Sequence, residues 1–397
     1  MTGTDIAWAA AALVLLGALA FEVGQRVSDR LKRGRRRGHA GKSPQKHMFY
    51  TVSERGVPLA DRPGTVVLAL HPYLLYRARP DQHLSGLTIN AQGYRGADWT
   101  LEKRPGSTRV LVVGSSIAFG WGVADEHVFP LVLEKLLREV APPGRHVEVL
   151  NGAGLGYNSS QQLVALAADL LDYAPDVIVI SGGLIDFNAG RLASGDSAPV
   201  NPVFDRVEDV LVQGTRHVQN FARLSALYRG LERKVGALLG ATGEMTVVPQ
   251  VACAMPGRDH ARGAARYRRT LERMVGLGRA AGAQVLILTE AESHLRRVDP
   301  VPELERAIRA SKGPLYEEAV VARYPLYAQA GEEVARALGV EHLDLTPVLH
   351  DVRQPLFVDW VHPNELGHEL IAKAIAPSVA RLAGLPSLTE KAAPPIL

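Results

Sequence analysis

The chain has 397 residues, 47% hydrophobic and 22% charged, which excludes a disordered polymer and provides core for one large domain or two smaller ones. The net charge of +4 is uneven: residues 1–47 hold nine Lys or Arg against Asp5, Glu22 and Asp29, a balance of +6 that leaves −2 for the remainder. A folded part this near neutral excludes a nucleic-acid binder, and the single cysteine, Cys253, permits no internal disulfide.

Residues 6–21 are an uncharged apolar run, roughly 24 Å long as a helix, which reaches hydrocarbon thickness with Val23 and Gly24 added. They predict a transmembrane anchor over residues 1–24. A cleaved signal peptide fits less well, because no Lys or Arg precedes the run. Seven basic residues follow, from Arg26 to Arg37, so residues 25–50 read as a juxtamembrane linker against anionic lipid. By the positive-inside rule they place the next domain in the cytoplasm.

Residues 51–105 alternate short extended runs, such as Thr65–Leu70, with turn-rich phrases such as Ile89–Gly96, and predict a small β-rich lead-in with no assigned chemistry. From Val110 the pattern changes to alternating strand and helix. Strands are expected at Val110–Val113, Val147–Leu150, Val177–Ile180, Val285–Leu288 and around Leu343–Leu345. The first is followed by a helix carrying Phe129, Leu133, Leu136 and Val140, with Asp125 and Pro130 suiting its start. The second is followed by a helix with a stripe of Leu163, Leu166, Ala167, Leu170 and Leu171, and an Arg-rich helix, His260–Ala281, precedes the fourth. A last helix after Pro363 carries Leu366, Leu370 and Ala374 on one face.

This is the signature of an α/β domain, a doubly wound parallel five-stranded sheet of flavodoxin-like order, over residues 106–385, with a polar tail at 386–397. Insertions at 187–247 and 291–330 leave strands at their carboxyl ends. The first places Phe221, Leu224, Tyr228, Leu231, Val235 and Leu238 at helical spacing. Both read as a cap over a substrate pocket, with a dimer surface as the alternative.

The first strand breaks at Gly114-Ser115-Ser116, which sets the serines at a strand's carboxyl end, where open α/β sheets bind ligands. A serine hydroxyl needs an imidazole to take its proton and a carboxylate to hold that imidazole's tautomer. Asp359 and His362 lie three apart just before the last helix and supply both. Alone, Ser116 is a turn former and Asp359 a helix cap; together, in this order, they read as nucleophile, base and orienting acid. The glycine-rich turn Asn151–Gln161 raises a dinucleotide-binding alternative, which fails because Tyr157 stands where the third glycine belongs. His368-Glu369 lacks the second histidine of a zinc hydrolase, and Gly-x-Ser-x-Gly fails at Ala118.

The two stretches, Gly114-Ser115-Ser116 and Asp359-x-x-His362, resemble the SGNH (GDSL-type) hydrolase superfamily, in its membrane-anchored bacterial form. The resemblance implies a catalytic triad of Ser116, His362 and Asp359. Ser115 stands at the place of the family's aspartate, which is not its catalytic acid. Ala153 falls where a glycine amide normally faces the oxyanion, and Gly183-Leu184-Ile185-Asp186 aligns with a block whose asparagine is a second donor. Ile185 cannot donate, so the expected oxyanion hole is the Ser116 and Ala153 amides with Asn188.

The expected function is an esterase that cleaves a short acyl ester, such as acetyl, on a small molecule or a glycan- or lipid-linked substrate. The alternatives are an O-acyltransferase on the same triad and a non-catalytic carbohydrate-binding module with a decayed site. No metal or organic cofactor is implied, and no nucleic acid. Oligomeric state is not specified. The resemblance favours an extracytoplasmic domain, against the charge rule.

Overall fold

A computed structural model of the protein describes residues 49–53, 65–189 and 260–388, all within one unit, His47–Val207 with Val247–Leu397. The expected anchor, most of the basic linker, the body of the first insertion and most of the polar tail lie outside the described residues. Among the described residues no helix is long and apolar enough to cross a membrane.

The central sheet consists of β6 (Thr108–Val113), β7 (Val147–Asn151), β8 (Val177–Gly182), β9 (Gln284–Thr289) and β10 (Glu341–Asp344), all parallel, in the order β10-β9-β8-β6-β7. This is the flavodoxin-like order expected. Every residue of β6 and β8 is buried, as both central strands must be when helices cover the two faces. α2 (Phe129–Val140) packs on α9 (Glu365–Leu382), and α5 (His260–Ala280) packs on α3 (Ser159–Ala168) and α8 (Pro325–Leu338).

Several local expectations are corrected. On α9 the buried face is Gly367, His368, Ile371, Ala372, Ile375 and Ala376, whereas Leu366 and Leu370 are a half-buried flank packed against the edge of the core. On α3, Ala167 is exposed and Gln161 and Gln162 are buried, because Gln161 spends its amide on the Leu74 carbonyl and on the helix's own capping box. Asp125 does not cap α2, which follows Val128; its carboxylate is used by the lead-in instead. The second insertion contains α6 (Glu303–Lys312), α7 (Pro314–Arg323) and the start of α8, the crossover helix between β9 and β10. Tyr316, Val320, Tyr324 and Tyr327 are buried there, so this segment also contributes to the core.

The lead-in is built of β1 (Phe49–Ser53), β2 (Thr65–His71) and β3 (Leu75–Ala78), followed by the hairpin β4 (Gln82–Leu84) and β5 (Leu87–Ile89). It is joined closely to the sheet domain. Tyr76 donates to the Leu155 carbonyl and Tyr157 donates back to that of Tyr76, at 2.8 and 2.6 Å. Arg95 forms a bridge with Asn151 at the end of β7.

Candidate active site

β6 ends at Val113, and the chain turns through Gly114 into α1 (Ser116–Phe119). A Cβ on Gly114 would lie 2.6 Å from the Ala118 Cβ and 3.2 Å from that of Ser181, so only glycine lets the turn seat against β8. Gly120 ends α1 at φ 86°, and Trp121 N donates back to the Ser116 carbonyl. Ser116 is thereby the first residue of a one-turn helix at the sheet's carboxyl end.

Residues 357–363 form a closed loop, with Phe357 bridged to Pro363 and Val358 N donating to the His362 carbonyl. Its geometry brings together the three residues predicted from opposite ends of the chain. Ser116 Oγ is 2.7 Å from His362 Nε2, and His362 Nδ1 is 2.7 Å from Asp359 Oδ2. The other Asp359 oxygen accepts the amides of Val361 and His362, at 2.9 and 2.8 Å. Burial pushes the Asp359 pKa up, but His362 and these amides outweigh it and hold the carboxyl below its ordinary value. An ionised acceptor fixes the proton on Nδ1 and leaves the Nε2 lone pair facing the serine hydroxyl. The Trp121 ring lies 5.7 Å from that of His362, and the Lys312 ammonium covers Trp360.

The oxyanion residues are less simply placed. The Ala153 N–H donates to Asn151 Oδ1 at 3.2 Å, while Asn151 Nδ2 holds the Ala118 carbonyl. The expected donor is thus spent inside its own turn, because the asparagine side chain folds over it. Ile185 and Asn188 lie on α4 (Leu184–Ala189), three residues apart and so on one helical face. Asp186 faces inward and accepts from Ser159 N and Oγ at 2.9 and 2.6 Å; burial raises its pKa to about 6 against those donors.

Three further residues support the site without having been expected there. Arg95, fully buried, donates to Asp125 and to the carbonyls of Phe119, Gly120 and Val123, holding the loop after the serine. Arg296, paired with buried Glu305, donates to the carbonyls of Leu349 and Gln354, and Glu305 accepts the Leu356 amide, holding the approach to the histidine loop. Glu290 lies beneath the serine turn, bonded to Ser115. Their one sequence signal is a charge set among apolar or glycine neighbours, as in Gly93-Tyr94-Arg95-Gly96 or Thr289-Glu290-Ala291. His368 is a core residue: burial lowers its pKa to about 3, and Nδ1 accepts the Phe129 amide. Among the described residues no cluster of His, Cys, Asp or Glu suits a metal ion.

The sequence model of the GDSL-like lipase/acylhydrolase family matches residues 112–370, well over half of the chain. The chain belongs to that family. The matched span contains both the serine turn and the histidine loop described above, and membership supports hydrolase chemistry. No curated protein matches the chain by sequence. Similar solved structures include a carbohydrate acetylesterase family member from Sinorhizobium meliloti, 17% identical, covering 70% of this chain and 100% of its own, TM-score 0.39. A lipase/acylhydrolase from Enterococcus faecalis is 15% identical, covering 70% and 98%, TM-score 0.39. A mutant of an acetyl-xylooligosaccharide esterase from Geobacillus Stearmophilus is 15% identical, covering 70% and 95%, TM-score 0.38. At this level the three likenesses add nothing to the family match.

Proposed function

We propose that this family member is a serine esterase that removes acetyl or another short acyl group from an oxygen ester, on a small molecule or a glycan- or lipid-linked substrate. The observation that carries the reading is the unbroken file from Ser116 Oγ through His362 to Asp359. In the first half-reaction Ser116 Oγ attacks the ester carbonyl while its proton passes to His362 Nε2. Collapse breaks the bond to the leaving alkoxide, which takes that proton as an alcohol. Water then gives a proton to His362, its oxygen forms a bond to the acyl carbon, and the acid leaves as Ser116 regains the proton. Asp359 holds the ring and stabilises its cationic form throughout.

The Ser116 amide and Asn188 are the oxyanion donors in this proposal. The N-terminal anchor expected over residues 1–24 would tether the activity to a membrane surface.

Labelling with a serine-directed fluorophosphonate, alongside hydrolysis of p-nitrophenyl acetate, tests the reading. Ser116→Ala should abolish labelling and lower turnover by more than about 10⁴-fold. Labelling at another serine, or turnover that survives the change, would sink it. An unlabelled wild-type protein would point to the binding module instead. Asn188→Ala should cost about 100-fold in turnover with little change in KM; an unchanged rate removes it from the oxyanion hole.

A further inference from the structure

Glu290 follows directly on β9 and is fully buried at the sheet's carboxyl end. Its Oε1 accepts the Ser115 hydroxyl at 3.0 Å and the Ser181 hydroxyl at 3.1 Å. Ser181 belongs to β8, and Ser115 is the residue before the nucleophile, with no capping bond of its own to α1. One carboxyl oxygen therefore ties two strands to the serine turn. Glu290's backbone is fixed as well: its amide donates to the Gly182 carbonyl, and its carbonyl accepts the Tyr324 hydroxyl at 2.7 Å.

The pattern of donors is that of a carboxylate. The Ser115 and Ser181 hydroxyls lie on Oε1, and the Leu184 amide faces the carboxyl from α4, so every neighbour within reach can serve it as a donor. The ionisable groups facing it are Asp186 on α4, Tyr267 on α5 and Tyr324 between α7 and α8, none of them cationic. Burial therefore pushes its pKa up to about 7, against the two hydroxyl bonds and the Leu184 amide and with a smaller push from Asp186. A buried carboxyl without a cation is a costly way to fill space, and an amide would fill it more cheaply.

We infer that Glu290 is a positioning residue for Ser116, whose ionised carboxyl, acting through the Ser115 hydroxyl, fixes the turn that aims the nucleophile at His362. The inference rests on the serine-esterase reading. Ser115, which departs from the family's aspartate, thus still has a carboxyl at the turn, supplied from another strand. Protonating Glu290 takes away the charge that strengthens both hydroxyl bonds and so loosens the turn, and activity on the acid side depends on two deprotonations, that of the base His362 and that of Glu290.

Fluorophosphonate labelling rate and ester turnover, followed from about pH 5 to 9 with melting curves for each variant, test this. In the wild-type protein the logarithm of the labelling rate should fall toward acid with a slope approaching two. Glu290→Gln should reduce that slope to one and lower kcat about tenfold at alkaline pH, with KM within about twofold. Ser115→Ala, which only deletes the link, should give the same slope and a similar loss, and the double variant should be no worse than the singles. If Glu290→Gln does not fold, Ser115→Ala decides alone. A labelling wild type whose variants match it in rate and slope overturns this inference only, whereas a wild type that never labels overturns the esterase reading and the inference with it.

Discussion

The serine loop and the histidine loop are held by the same device from two different parts of the chain. Each is clamped by a buried arginine that donates to main-chain carbonyls and pairs with one carboxylate: Arg95 with Asp125 on the serine side, Arg296 with Glu305 on the histidine side. A guanidinium suits this work because its fork of donors is rigid and cannot be neutralised. The two loops meet where a Cβ on Gly122 would come within 3.0 Å of Val358, so error in either clamp is passed to the other loop. They differ in how the carboxylate is housed. Asp125 keeps 24% of its side chain exposed, whereas Glu305 keeps none. Water can relieve the serine-side clamp when it is broken, but not the histidine-side one.

That difference can be broken from either end. The largest effect belongs to Glu305→Ala, which strands the Arg296 charge and frees the Leu356 amide; chemical denaturation should show a loss of about 3–5 kcal/mol. A loss below about 1 kcal/mol would mean that water reaches this pair after all. Arg95→Ala should cost about 1–3 kcal/mol, since Asp125 can turn to solvent while three carbonyls lose their donor. Its signature is catalytic: kcat should fall about tenfold or more as the Gly120–Val123 loop relaxes, and Arg95→Lys should recover little, having no fork to span three carbonyls. Equal stability losses for the two variants would erase the distinction.

The smallest effect sharpens the histidine side. The Asp359 carboxyl is held below its ordinary value when folded, so the unfolded chain binds more protons as pH falls. Asp359 thus contributes stability that is fully present above the ordinary aspartate pKa and is lost as pH falls through the lower folded value. Asp359→Asn should flatten the acid end of the stability curve. It should also slow turnover, because an amide favours the wrong imidazole tautomer.

Much of the site was legible along the chain. Ser116 could be read because a buried strand breaking at glycine announces a carboxyl-end turn, and Asp359 and His362 because their spacing serves one geometry. Ala153 was misread as a donor: spacing says which amide falls in the turn, but not that the Asn151 side chain reaches it first. Arg95 lay in a segment read as a β appendage, and residues 112–370, the span of the family match, exclude it as well. Only its hydrogen bonds reveal that the serine loop depends on it.

Hydrophobic runs and their breaks marked the strands of the sheet domain, and fully apolar runs such as Val110–Val113 and Val177–Ile180 called for a parallel, doubly covered place. They also singled out Ser116, Asp359 and His362, which the fold brings together. Which apolar face of α9 turns inward, and which buried charge supports which loop, was decided by the tertiary structure. Those choices depend on how closely helices approach and on which carbonyls are left without donors. Both are properties of packed neighbours distant in sequence: Glu290 beneath Ser115 is 175 residues from it along the chain and 3.0 Å from it in space.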